Sequence, residues 1–346
     1  MDISKIDNNF ATRCGVASKT DICFYDVESA PFKVYGVFKE NGLYRRMPED
    51  VAKNVSDGVY ALHTNTAGGR IRFRTDSPYV AIRVKMDSVG RMPHFALAGS
   101  GGFDLYADNV YVNTYVPPYD VKDEYEDCID LGDGGMRDIT VNMPLYSGVR
   151  EIYIGLKKGS NTDTPLPYSV EKPMVFYGSS ITQGGCASRP GTAYTSVVPR
   201  YFNSDYVNLG FSGNAKAEDE MIEYIKGLDM SVFFLDYDHN APTEEHLKAT
   251  HEKMFTAIRE SHPLLPIVIM SRPKNMLNLW ETERLEIITE TYKNALSRGD
   301  KNVYLLTGDD LTALCGNEGT VDNCHPTDFG FASMAQAVIS VLKKIL

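Results

Sequence analysis

The sequence predicts two domains in tandem. An N-terminal all-β sandwich or jelly roll is followed by a three-layer α/β domain with a mostly parallel, doubly wound five-stranded sheet. Three observations predict this. The chain has 346 residues, 43% of them hydrophobic, enough for two cores at roughly 100–200 residues per domain. Up to about residue 160 the apolar residues alternate with period two, as in half-buried antiparallel strands. Beyond that, short all-apolar runs alternate with helical patterns, as in βαβ units. The expected division is 1–162 for the β-domain, 163–173 for a linker and 174–346 for the α/β domain.

The β-domain elements follow in order. In Gly69–Thr75, Ile71 and Phe73 alternate with Arg70, Arg72 and Arg74. In Tyr79–Met86, Val80, Ile82, Val84 and Met86 share a face. In Val110–Val116, Val110, Val112 and Val116 oppose Tyr111, Asn113 and Tyr115. Arg137–Met143 and Arg150–Leu156 repeat the alternation. Gly, Asp and Asn turns separate these strands, the pattern of a sandwich. The stretch KKGSNTDTPLPYSVEKP, with Pro165, Pro167 and Pro173, reads as a connector.

Five apolar runs follow: PMVFYGS, DYVNLG, SVFFLD, PIVIMS and NVYLL. The intervening segments are helical. TEEHLKATHEKMFTAIRE places Leu247, Met254 and Ile258 on one face, and Thr243 with Glu245 suits its start. FASMAQAVISVLKKIL is the last helix. Ligands of such sheets sit at the carboxyl ends of the strands, so the loops there are where chemistry is expected.

Composition removes several functions. A net charge of −11 without a Lys/Arg cluster disfavours nucleic acid and anionic membrane surfaces as partners. No stretch of about 18 apolar residues lacks charges, so no transmembrane helix is expected. The start, MDISKIDNNF, lacks a basic-then-apolar layout, so no signal peptide is expected. The cysteines, at 14, 23, 128, 186, 315 and 324, form no C-x-x-C pair. They read as scattered reduced thiols, with a cytoplasmic location, no structural zinc and no metal cofactor.

Four loops on one rim of the sheet carry reactive residue types. The first is Gly178-Ser179-Ser180-Ile181-Thr182, where a hydroxyl either caps a helix or acts as a nucleophile. The second, Gly210-Phe211-Ser212-Gly213-Asn214, offers a backbone N–H at Gly213. The third, Asp236-Tyr237-Asp238-His239-Asn240, offers the Asn240 amide or a turn asparagine. The last contains Asp322 and His325, spaced so that the carboxylate can accept from the imidazole and leave its other nitrogen as a base.

These blocks resemble the SGNH hydrolase superfamily, also known as GDSL esterases, over roughly residues 172–346. Ser180 matches the nucleophile of the first block, although Ser179 stands where G-D-S has Asp. Asn208, Gly210 and Gly213 match the second block, and Asp322, His325 and Pro326 the last. Gly102-Phe103-Asp104-Leu105-Tyr106 resembles the GxDLY signature of the β-sandwich preceding some members' hydrolase domain. The resemblance implies a flavodoxin-like sheet and a serine esterase that needs no cofactor. Its catalytic residues would be Ser180, Asp322 and His325, with an oxyanion hole of Ser180, Gly213 and Asn240. Asp238 competes with Asn240 for the third-block position, but an ionised carboxylate cannot donate to an oxyanion.

The implied substrate is a small-molecule or oligosaccharide ester, with an O-acetyl carbohydrate first. An acyltransferase with the same triad and a non-catalytic sugar-binding protein are the alternatives. A lipase ranks behind them, since no long apolar lid is evident. His239 and Arg189 are the candidate substrate contacts, with a loop-ordering ion pair an equal reading of Arg189. His63, His94, His246, His251 and His262 read as surface or capping residues. Tyr111 and Tyr115 read as an exposed or interdomain face, or as sugar-stacking residues.

Overall fold

A computed structural model describes residues 3–7 and 15–346 of the chain. Cys14 lies outside these residues. Among the described residues, two large antiparallel sheets and a two-stranded hairpin, Phe38–Glu40 with Leu43–Arg45, form the first half. One has the order Ile22–Asp26, Gly148–Lys157, Tyr79–Ser88, Glu124–Asp130. The other runs Thr162–Asp163, Arg70–Thr75, Arg137–Asn142, Phe103–Ala107, Val110–Tyr115, and Lys33–Tyr35 also pairs with Arg70–Thr75. Their inner faces meet in one core that includes Ile71, Phe73, Ile82, Val84, Leu105, Ile139, Val141 and Ile154. The alternation expected from the sequence is therefore real in four of the five quoted strands.

The strand Val110–Tyr115 differs. Tyr115 is the buried residue and donates its hydroxyl to the Val80 carbonyl, while Val110 and Val116 are exposed. A register irregularity lies between Leu105 and Tyr106 in its pairing with Phe103–Ala107. Tyr115 faces the core opposite Phe103, Val112 packs partly against the same core, and beyond the irregularity Tyr111 is exposed.

The polar face of Arg70–Thr75 is not solvated as expected either. Arg70 and Arg72 are buried. Arg70 lies 3.9 Å over the Tyr206 ring, pairs with Asp205 and donates to Tyr168 Oη. Arg72 lies 4.2 Å over Tyr168 and pairs with Asp138. The second half of the chain covers this face, and aromatic stacking and ion pairs offset the buried charges, although Arg72 Nη1 keeps no hydrogen-bond partner.

In the second half, β1 (Val170–Gly178), β2 (Ser204–Gly210), β3 (Val232–Asp236), β4 (Ile267–Met270) and β5 (Val303–Leu306) form an all-parallel sheet in the order β2-β1-β3-β4-β5. All five match the apolar runs. β1 starts inside the expected linker, with Val170 paired to Ser204, and a register shift follows before Met174. Pro173 within it cannot donate to the ladder, but its carbonyl still accepts from Ser231 N–H.

Helices 219–226, 244–261 and 279–297 cover one face of the sheet, and helices 194–202 and 328–342 the other. Thr243 caps its helix by accepting from His246 N–H, and Asn278 with Glu281 forms a capping box. No helix among the described residues is long and apolar enough to cross a membrane.

Two short helices, Glu49–Val55 and Asp57–Leu62, were not expected in the first half. Their apolar residues Ala52, Val55 and Val59 join the core of the α/β domain, as does Met47. On the other face of the sheet, Ala67, Phe95 and Leu145 do the same. The first half thus grips the parallel sheet from both sides.

Candidate active site

The order β2-β1-β3 creates a switch point between β1 and β3, where the connections leave in opposite directions and a crevice opens. The loop after β1 turns there into the helix Ser180–Gln183. Ser179 is the residue that caps this helix, its hydroxyl accepting from Ile181 N–H at 3.1 Å. That leaves the hydroxyl of Ser180 free of capping duty. The helix-capping reading of this loop thus falls to Ser179.

The turn is held tightly. The Asn208 side chain donates to the Thr182 carbonyl at 2.8 Å and accepts from Gly210 N–H at 2.9 Å. A Cβ on Gly210 would stand 2.2 Å from the Gln183 nitrogen, so only glycine lets β2 pass this close. Asn208 and Gly210 of the second block therefore shape the turn from behind.

Ser180 Oγ lies 3.0 Å from His325 Nε2, and His325 Nδ1 lies 2.8 Å from Asp322 Oδ2. An ionised carboxylate only accepts, so Nδ1 carries the proton and Nε2 is left to accept from Ser180. Asp322 Oδ1 also accepts the backbone N–H groups of Cys324 and His325, at 3.0 and 2.7 Å. Burial pushes the Asp322 pKa upward, but the hydrogen bonds from His325 and its neighbours outweigh it and hold the carboxyl below its usual value. The arrangement can deprotonate the serine hydroxyl and store the proton on the imidazole.

Gly213 sits in the loop after β2 with φ of +67°, a conformation that suits glycine. Asn240 donates from Nδ2 to the Phe211 carbonyl at 3.1 Å, which fixes its amide against the same loop. Asp238 points elsewhere. It is buried and accepts from its neighbour's backbone, from His239 Nδ1 at 2.8 Å and from Arg272 N–H at 3.2 Å. Burial raises its pKa, but these donors more than reverse the effect and keep it ionised. His239, expected as a substrate contact, has a side chain only 7% exposed. It lines a small, partly open pocket with Arg272, Trp280 and Arg284.

Arg189 also takes the second of its two readings. Its guanidinium donates to Asp104 Oδ2 at 2.8 Å and to Tyr106 Oη at 2.6 Å, and stacks 3.7 Å over Tyr111. Asp104 is fully buried and also accepts from Gly191 N–H and Asn142. The Asp and Tyr of the F-D-L-Y stretch thus fasten the β-domain to the loop that follows Ser180. Tyr111 belongs to this interdomain face, whereas Tyr115 is in the core.

Four neighbours of the site escaped the sequence reading of their roles. His94, read as a surface residue, is exposed but stands with Nε2 3.7 Å from Asp322 Oδ2, its ring centroid 5.8 Å from that of His325. Tyr146 donates its hydroxyl to the Ser180 carbonyl at 3.1 Å. Arg46 is buried behind β2, donating to the Asn208 and Leu62 carbonyls, and burial lowers its pKa to about 9. Asp236, at the end of β3, accepts from Thr182 and Tyr194, and burial raises its pKa to about 7. Asp236 had a signal, an acid closing an all-apolar strand. The other three reach the site across the fold, without local spacing. Of the remaining histidines, His251 and His63 are buried. His251 pairs with Thr291 and His63 with Arg45, and His63 also caps a helix C-terminus.

Two groups of described side chains are close enough to hold a metal ion, His94 with Cys186 and His325, and Asp236 with Asp238 and His239.

The sequence model of the GDSL-like lipase/acylhydrolase family matches residues 171–343. That of the GxDLY domain, the N-terminus of SGNH-hydrolase-type esterases, matches residues 22–162. No curated protein sequence matches the chain. Among solved structures, the chain is similar to a Bacteroides ovatus protein designated a GDSL-like lipase, with 26% identity, 94% of this chain and 98% of that one covered, and a TM-score of 0.82. A salicylyl-acyltransferase from a tetracycline biosynthetic pathway has 19% identity, the same coverage and a TM-score of 0.78. An acetyl xylan esterase from the rumen bacterium Butyrivibrio proteoclasticus has 12% identity, covers 94% of this chain and 99% of its own, and has a TM-score of 0.61.

Proposed function

The chain belongs to the GDSL-like lipase/acylhydrolase family, and from that premise we propose that it hydrolyses O-acyl esters of carbohydrates, acetyl esters first, through an acyl-enzyme on Ser180. The observation that carries this reading is the continuous relay from Ser180 Oγ through His325 to Asp322, at 3.0 and 2.8 Å.

In the first step, Ser180 Oγ attacks the ester carbonyl carbon and its proton passes to His325 Nε2. The carbonyl oxygen becomes the oxyanion. The N–H of Ser180, at the first helical position where no intrahelical acceptor exists, faces it with Gly213 N–H and the second N–H of the Asn240 amide. Collapse breaks the bond to the leaving oxygen, which takes the proton from His325. Water then attacks the acyl-enzyme, gives its proton to His325 and releases the acid, and Ser180 recovers its proton. Asp322 holds the imidazole in the required tautomer throughout. No step calls for a metal.

The carbohydrate assignment draws on the shared two-domain layout of the acetyl xylan esterase, which spans both halves of this chain. A panel of acetylated oligosaccharides assayed for released acetate tests it. Turnover of a simple activated acetate without any on the panel would leave the esterase and remove the carbohydrate. A second reading is transfer of the acyl group to an acceptor alcohol, favoured by the likeness to the salicylyl-acyltransferase over 94% of the chain. Measuring free acid against acylated acceptor decides between them. A non-catalytic sugar-binding protein would fail to react with a serine-directed phosphonate.

A further inference from the structure

The geometry points to a binding site for a soft divalent cation of the zinc class at the mouth of the relay, closed by His94, Cys186 and His325, whose occupancy switches ester cleavage off. The binding stands on the structure alone, and the switching rests on the proposed role of His325.

The three side chains come from distant parts of the chain. His94 lies in the β-domain, beside a bridge between Met92 and Phe95. Cys186 lies in the turn after the Ser180 helix, in the left-handed region with φ of +73°. That turn is fixed from both sides. Ala187 N–H donates to the Gly184 carbonyl at 3.1 Å, and Gly99 of the β-domain approaches the Ala187 carbonyl so closely that a Cβ there would stand 2.0 Å from it. His325 is held by Asp322.

One ligand atom from each residue can be chosen so that all lie within 4.8 Å of one another. Tetrahedral zinc with two imidazole nitrogens and one thiolate needs donors about 3.3–3.6 Å apart. The gap to close is at most about 1.5 Å, and the exposed His94 ring has the freedom to close it. One sulfur and two imidazoles suit zinc, and disfavour magnesium and calcium. The Asp322 carboxylate beside both imidazoles adds negative charge and orients His325, the usual place of a carboxylate behind a metal-bound histidine. The second cluster is a poorer host. Asp236 Oδ1 and His239 Nε2 have no hydrogen-bond partner there, but two carboxylates and one imidazole make a harder ligand set that suits zinc less well than a thiolate with two imidazoles.

The inhibitory consequence does not depend on which His325 nitrogen takes the metal. A metal on Nε2 removes the acceptor for the Ser180 proton. A metal on Nδ1 displaces Asp322. The metal-bound and active forms exclude each other. Bound metal also ties the β-domain to the α/β domain at the site.

Titration with Co²⁺ tests the site without reference to activity. A thiolate bound to Co²⁺ gives a sulfur-to-cobalt charge-transfer band, and Zn²⁺ should displace it. We expect the band in the parent protein, its loss in Cys186→Ser and affinity at least about tenfold weaker in His94→Ala. Circular dichroism of each variant reports that it is folded. Zn²⁺ should inhibit ester cleavage over the concentrations that displace Co²⁺, with reversal by chelator. In either variant, measured against its own metal-free rate, at least about tenfold more Zn²⁺ should be needed. A parent protein without the band, a band surviving Cys186→Ser but lost in Cys324→Ser, or equal Zn²⁺ inhibition in all three proteins overturns the proposal. A protein that shows the band but cleaves no ester keeps the metal site and overturns the proposed function instead.

Discussion

Tyr146 donates its hydroxyl to the carbonyl oxygen of Ser180 at 3.1 Å, so a residue of the β-domain holds the backbone of the turn on which the proposed nucleophile sits. Its ring packs edge-to-face on Phe95, 5.3 Å between centroids, in the same interdomain wall. Burial raises the Tyr146 pKa far above neutrality, so the hydroxyl stays a donor.

Tyr146→Phe keeps the ring and removes the bond. A neutral hydrogen bond is worth about 0.5–1.5 kcal/mol, so kcat should fall by up to about tenfold with KM little changed. Steady-state kinetics on an activated ester reads this. An unchanged kcat would mean that the turn is held without Tyr146.

The two adjacent serines should separate cleanly. Ser180→Ala should abolish nearly all turnover and leave the melting temperature near that of the parent. Ser179→Ala removes a helix cap and should lower stability by about 0.5–2 kcal/mol, while retaining far more activity. A swap of these behaviours would move the nucleophile to Ser179.

Asn240 and Asp238 are expected to differ in kind. Asn240→Ala should lower kcat by about 10²–10³ with little effect on KM, the loss typical of one oxyanion donor. Asp238→Ala should act on stability, because it unpairs His239 Nδ1 and the Arg272 N–H. If Asn240→Ala kept a near-normal kcat, the third donor would lie elsewhere.

Arg189→Ala would leave the fully buried Asp104 carboxylate with only Gly191 N–H and Asn142 as partners. Breaking a buried pair from one side typically costs about 3–5 kcal/mol. Denaturant unfolding should show a loss approaching that range, and Asp104→Asn in the same chain should recover part of it. Additive losses in the double variant would mean that the two side chains do not act as a pair.

Asp236 gives stability a pH dependence. Burial raises its pKa from 3.8 to about 7, so the folded protein holds a proton that the unfolded chain releases. Its contribution is fully present only below the unfolded value and is lost as pH rises through about 7. Asp236→Asn carries no such proton and keeps an acceptor for Thr182 and Tyr194. Its melting temperature should fall less than the parent's between about pH 5 and pH 8. Parallel curves for both proteins would show that the carboxyl is ionised throughout.

The parallel sheet was legible because its strands are buried on both faces, and runs such as Val232–Asp236 leave no other reading. The relay was legible because Asp322 and His325 are close in sequence and Ser180 follows a strand. What failed to show depends on contacts between halves of the chain. Ala52, Val55 and Val59 look unremarkable until the α/β core receives them. Arg70 and Arg72 alternate like a solvated face until Tyr168, Asp205 and Tyr206 cover them. His94 and Tyr146 carry no spacing signal, because their partners lie 228 positions away at Asp322 and 34 positions away at Ser180.

The covered arginines of strand Arg70–Thr75 bear on how such a protein can be inherited or recombined. Arg70 finds its counter-charge in Asp205 and its ring in Tyr206. A chimera spliced at the proline-rich connector, with a foreign catalytic half, would strand that guanidinium without either. Only a donor half bringing its own acid and aromatic residue to the start of β2 would be accepted. The visible joint between the halves is therefore not a seam along which they can be exchanged, and the two must change together.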